Sequence, residues 1–175
     1  MLVEVRKKID SIKPFKVSFT NQVVSDHEVD IEEKGEMTFL DSQTIKWEYL
    51  VPDHKIWILS GDTFEYYDAE EEQVTRGTLT KKAQLWIFQI LYDNVLDDDI
   101  RIDHSARSIH FLNREDAVDI KIFFAADFLP SRIIQKDPTG VSIIYIFSEY
   151  RTNIALGRDE FKLKTDGNVD IIELE

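Results

Sequence analysis

The sequence predicts a mainly β protein, a meandering antiparallel barrel or curved sheet preceded by one helix. Past residue 14 the apolar residues recur every second position, and turn-forming clusters stand where each alternating run stops. The chain has 175 residues and no linker-like or low-complexity tract, so one domain spanning 1–175 is expected, large enough to bury a core.

Leu2, Val5, Ile9 and Ile12 recur at helical spacing with Arg6, Lys7, Lys8 and Asp10 between them, which predicts an amphipathic helix over 2–12 ended before Pro14. Phe15, Val17 and Phe19 then alternate with Lys16, Ser18 and Thr20. Met37 and Phe39 follow, and Ile45, Trp47 and Tyr49 alternate with Lys46 and Glu48. The same period returns in Phe64 and Tyr66, in Ile109 and Phe111, in Val118, Ile120, Ile122 and Phe124, and in Val141, Ile143, Tyr145 and Phe147. Strand ends are marked by Pro52-Asp53, Gly61-Asp62, Asn113 to Asp116, Asp137-Pro138-Thr139-Gly140 and Asp166-Gly167-Asn168. Their spacing favours hairpin-connected strands over βαβ units.

Between Lys81 and Tyr92 the pattern changes. Leu85, Trp86, Ile87, Phe88, Ile90, Leu91 and Tyr92 are interrupted only by Gln89. A helix apolar nearly all round must be buried on both sides or touch something besides protein, so this segment reads either as a lid over a hydrophobic ligand or as a core helix or buried strand.

Acidic residues outnumber basic ones 34 to 21, for a formal charge of -13, so long-range electrostatics oppose phosphate backbones and no nucleic-acid partner is expected. With no cysteine there is neither a disulfide nor thiol chemistry. No apolar run approaches the ~20 residues of a spanning helix, and Met1 to Lys8 lacks the apolar core of a signal peptide. If the protein is exported, the expectation is that its signal has been removed ahead of Met1.

Catalytic motifs are absent. His27, His54, His104 and His110 show no zinc spacing, and Asp97, Asp98, Asp99 and Asp103 lack the Gly and closing Glu of an EF-hand loop. There is no G-x-S-x-G elbow, P-loop or G-x-G-x-x-G, so neither an enzyme, a metal nor a cofactor is expected. What the chain has in excess is aromatic surface: eleven Phe, six Tyr and three Trp, which either fill a small barrel or line a greasy cavity.

Ordered motifs over about 150 residues carry a family resemblance. They are Phe15-Lys16-Val17-Ser18-Phe19-Thr20-Asn21-Gln22 after a helix, Gly35-x-Met37-x-Phe39, Ile45 to Tyr49, Pro52-Asp53, Gly61, Tyr67-Asp68 and Gln73-Val74-Thr75. Pro130, Asp137 and Gly140, then Asn153, Phe161 and Gly167 to Asp170, continue the series. Together they resemble the LolA-type outer-membrane lipoprotein carriers. The resemblance implies an unclosed, strongly curved antiparallel half-barrel of about eleven strands, with an N-terminal helix and a short helical lid. It also implies a monomeric periplasmic chaperone for acylated lipoproteins, served by an inner-membrane lipoprotein-releasing ABC transporter and, where one is present, an outer-membrane acceptor.

Strand parity then assigns a lipid-binding lining: Val17, Phe19, Met37, Phe39, Ile45, Trp47, Tyr49, Ile56, Ile58, Phe64 and Tyr66, covered by Leu85, Trp86 and Phe88. Reversing the parity of one strand would substitute Trp57 and Leu59 for Ile56 and Ile58. Family members commonly carry a basic residue and a proline just ahead of the tryptophan strand, where the basic residue is thought to help latch the lid. Here Asp41 and Ser42 stand there, and a carboxylate accepts hydrogen bonds where arginine donates them, so a latch would need other partners. The rival readings are a carrier of free lipid or another apolar ligand, an envelope-stress sensor domain of related fold, and an enzyme acting on lipids, which would need a Ser/His/Asp or metal cluster inside the cavity.

Overall fold

The computed structural model describes residues 1–41, 43–79, 100–113, 118–165 and 169–174. Helix α1 (Leu2–Ile12) leads into β1 (Phe15–Ser25), β2 (Glu28–Asp41), β3 (Thr44–Val51), β4 (Lys55–Ser60), β5 (Thr63–Asp68) and β6 (Gln73–Thr78). Then come β7 (Ile100–Asp103), β8 (Ser108–Asn113), β9 (Val118–Phe124), β10 (Pro130–Lys136), β11 (Ser142–Thr152) and β12 (Asp170–Glu173). All twelve strands form one unclosed, curved sheet in the order β12-β6-β5-β4-β3-β2-β1-β11-β10-β9-β8-β7. Strands β1 to β11 pair antiparallel, and β12 adds a twelfth by pairing parallel with β6.

The sheet is two meanders sharing a seam. β1 to β6 form one and β7 to β11 the other, joined where β1 pairs with β11 through Phe19 opposite Phe147 and Asn21 opposite Tyr145. Strands β6 and β7 are successive among the described residues yet lie far apart in the sheet order. The expected lid residues Leu85, Trp86 and Phe88 fall outside the described residues.

Turn chemistry closes the hairpins. Gly61 supplies the positive φ of +63° between β4 and β5, which costs glycine little. Between β10 and β11, Asp137 Oδ1 accepts from the backbone N–H of Thr139 at 2.8 Å and of Val141 at 3.0 Å, the side chain standing in for missing ladder bonds. Helix α1 ends as expected before Pro14. The Asn153 N–H donates to the Ile12 carbonyl at 3.0 Å, meeting one acceptor that the helix end leaves open.

Two apolar clusters lie on opposite faces. The larger occupies the concave face, where Val5, Ile9 and Ile12 of α1 join side chains from β1 to β4 and from β8 to β11. The smaller joins Ile56, Ile58, Tyr67 and Val74 to Phe161, with Leu156, Leu163 and Val169 packed at its border, so the segment after β11 covers the convex side of β4 to β6. Around β1 to β3 that convex face is charged. Lys16 Nζ lies 3.2 Å from Glu36 and Lys46 Nζ 2.6 Å from Glu48, as their alternation with the apolar residues requires.

Candidate functional site

Cross-strand register builds the concave face row by row. In one row Phe15 pairs with Phe39, Phe39 with Ile45, Ile45 with Leu59 and Leu59 with Phe64. The next sets Val17 against Met37, Met37 against Trp47, Trp47 against Trp57 and Trp57 against Tyr66. A third runs from Phe147 through Phe19 and Gly35 to Tyr49 and Lys55. Side chains opposite each other on one face of a sheet are about 5 Å apart at Cβ, so these rows make a continuous apolar layer that ends at Lys55, with Val17, Met37, Phe39, Ile45 and Trp47 buried in it and Trp57, Phe64 and Tyr66 only partly covered.

The aromatic rings meet across it. Trp57 stacks on Tyr66 at 4.3 Å between centroids, Phe15 on Phe39 at 4.9 Å, and Phe19 meets Tyr49 edge to face at 5.1 Å. Tyr145 links the two meanders, 5.9 Å from the Phe19 ring and 6.4 Å from that of Trp47. Gly35 makes the third row possible. A Cβ there would stand 2.0 Å from the Glu48 carbonyl oxygen and 2.8 Å from the Phe19 ring, so the missing side chain is the space in which Phe19 and Tyr49 touch.

Seven of the expected lining residues, Val17, Phe19, Met37, Phe39, Ile45, Trp47 and Tyr49, belong to this one cluster, with Phe64 packed against it and Tyr66 joined through Trp57. Ile56 and Ile58 do not. Their register with Tyr67 and Glu65 turns them to the convex face, and Trp57 and Leu59 take the concave positions. The cause is the length of the Pro52 turn: Tyr49 pairs with Lys55, so the inward parity restarts on odd numbers in β4. The second meander contributes Ile109, Phe111, Ile120, Ile122, Phe124, Ile133, Tyr145 and Phe147, none of them in the expected lining. Apart from Ile133, their signal was the same alternation that marks them as strand residues.

One end of the lining is polar. Asn21 Nδ2 donates to Glu33 Oε2 at 3.0 Å, Lys55 Nζ donates to Glu33 Oε1 at 3.2 Å, and the hydroxyls of Tyr49 and Tyr145 lie 3.1 Å apart. Burial, then the neighbouring Tyr145, pushes the Tyr49 phenol well above its ordinary range, and burial raises Tyr145 too. Tyr66 donates to Asp68 at 2.8 Å; burial and that carboxylate raise its phenol as well. All these phenols stay protonated as neutral donors.

Among the described residues, nothing comparable to a catalytic constellation joins them. His54 lies 3.0 Å from Glu48 and His110 2.8 Å from Asp119, and both pairs sit on the parity opposite to the lining. Among the described residues no three His, Cys, Asp or Glu side chains are grouped to hold a metal ion. Asp41, at the latch position of the resemblance, spends its Oδ1 on the backbone N–H of Gln43 at 2.9 Å, which shapes the turn into β3. A groove of about 490 Å³ opens beside Ile58, Phe161 and β12, where Arg76 is held by Glu65 at 2.7 Å and faces Glu173 at 3.8 Å. Its lining mixes these charges with Ser60, Thr63, Thr78 and Leu174, and it reaches Phe64 at the end of the first row.

Comparison with known proteins places this architecture. An outer-membrane lipoprotein carrier protein of Photobacterium profundum is 28% identical over 96 residues, which cover 54% of this chain and 48% of that protein. The chain thus spans about half the length of the curated relatives it matches. Among solved structures, an uncharacterized conserved protein from Thermus thermophilus aligns with a TM-score of 0.64 at 12% identity over 99% of this chain and 96% of its own. A LolA superfamily protein from Nitrosomonas europaea aligns at 0.53 and 13% identity over 93% and 97%. The family model described as "Outer membrane lipoprotein carrier protein LolA" matches residues 10–164, and the chain belongs to that family.

Proposed function

We propose that this protein is a periplasmic carrier that shelters the acyl chains of lipoproteins against its concave face and shuttles them from the inner to the outer membrane. The observation that carries this reading is the continuous aromatic layer running from the partly exposed Phe64 and Trp57 across the buried Trp47 and Phe19 to Tyr145. Membership of the LolA family supports it.

The physical demand explains the chemistry. Each acyl methylene in a bilayer is worth about 0.8 kcal/mol, so a lipoprotein with several chains does not leave its membrane unaided. A carrier must offer comparable apolar burial, and wide, flat rings supply it at low conformational cost. Two membrane partners follow: an ABC transporter that does the work of release and an acceptor that takes the cargo. No catalytic residue is needed, because no bond changes.

Native mass spectrometry of protein purified gently from a cell envelope tests the proposal. A bound lipid-modified polypeptide is the expected result. Free lipid alone would move the assignment to a lipid carrier, and a protein emptied of any apolar ligand would count against both.

A further inference from the structure

Asn21 stands at the polar end of the concave face, only 5% exposed, between Glu33 on β2 and Tyr145 on β11. Its orientation is fixed by chemistry. A carboxylate without a proton can only accept, so the amide NH₂ faces Glu33 and the carbonyl oxygen is directed elsewhere. That Oδ1 is buried and finds no hydrogen-bond partner among the described residues. An orphan acceptor in a dry site is costly unless something donates to it.

A donor is also in surplus nearby. Tyr49 and Tyr145 share a single hydrogen bond, so the proton of one hydroxyl has no acceptor among the described residues. Glu33 is occupied on both oxygens by Asn21 and Lys55. The end of an otherwise apolar layer therefore offers, among the described residues, one free acceptor and one free donor, both largely buried. A hydrocarbon tail can use neither, and an ester can use only the donor. A secondary amide can use both.

We propose that Asn21 is the polar anchor of the cargo, accepting the N–H of an amide through which an acyl chain is joined to a polypeptide, while the Tyr49–Tyr145 pair faces the polar end of the same group. This rests on the carrier reading and sharpens it: the site favours amide-linked acyl chains over ester lipids of equal length.

Three probes of matched chain length test it by calorimetry or tryptophan fluorescence: N-methylmyristamide, its N,N-dimethyl counterpart without an N–H, and methyl myristate. The wild type should bind the secondary amide about tenfold more tightly than either other probe, the worth of one buried acceptor satisfied. Asn21→Leu, of similar size, should bind all three alike and keep the ester affinity. Equal binding of all three by the wild type would overturn the anchor and leave the carrier reading standing, as would an amide preference that persists in Asn21→Leu. Binding of none by the wild type would overturn the carrier reading itself. The wild-type comparison decides the matter even if the variant fails to fold.

Discussion

Gly35 shows how much can rest on one absent side chain. Its Cβ would collide with the Glu48 carbonyl, which is backbone and cannot swing away, as well as with the Phe19 ring. Gly35→Ala should lower stability by about 2 kcal/mol, the order of cost for forcing atoms into a packed core, read as a lower urea midpoint with unchanged slope. An unaltered midpoint would show that β2 and β3 can separate freely there. Trp57 carries the complementary prediction. It is half-buried and stacked on Tyr66 at the rim of the lining, so Trp57→Ala should weaken acyl binding at least fivefold while the sheet keeps its circular dichroism. Sequence alternation matches the inward parity of β1 to β3, because Lys16, Lys46 and Glu48 mark the wet face without ambiguity. It misread β4, where Ile56-Trp57-Ile58-Leu59 is apolar on both faces and no charge tells them apart. Only pairing with Trp47 and Tyr66 settles which side Trp57 takes.

Among the elements, α1 was the most legible. Three apolar residues on one helical stripe and a proline two positions on leave little choice, and Val5, Ile9 and Ile12 are the buried ones. Ile9→Ala should cost about 2–5 kcal/mol, since the residue is 1% exposed and its loss leaves a cavity between helix and sheet. Strand β4 separates the two cores cleanly. Ile58→Ala removes packing against the convex cluster, so it should lower the urea midpoint yet leave the acyl affinity of the folded protein within twofold, opposite to the effect of Trp57→Ala. A large loss of acyl affinity in Ile58→Ala would place ligand on the convex side. Strand β12 was illegible beforehand. Asp170 to Glu173 is too short to show a period, and its parallel pairing with β6 depends on a segment returning across the convex face from β11.

For the molecule as a whole, the seam between the meanders is the critical junction, and Tyr49 and Tyr145 reach across it from residues 96 apart in sequence. Their phenols are raised above the usual 10.0, with burial the leading cause. Below pH 10 both folded and unfolded chains hold these protons. Above it the unfolded chain releases protons that the folded one keeps, so stability falls as pH rises. The urea midpoint should therefore fall progressively as pH rises above about 10, and Tyr49→Phe with Tyr145→Phe should flatten the fall; identical slopes would show that the phenols titrate alike in both states. The amino-acid order by itself determined the β class, the leading helix, the hairpin turns at Pro52-Asp53, Gly61-Asp62 and Asp137 to Gly140, and the inward set of β1 to β3, because each is a local pattern of period, charge and turn chemistry. Tertiary structure alone decided that β1 joins β11, that β6 and β7 part, that Trp57 faces inward and that the second meander completes the inward apolar cluster. Those outcomes depend on register between distant strands, and a single position of slip exchanges one face of a sheet for the other.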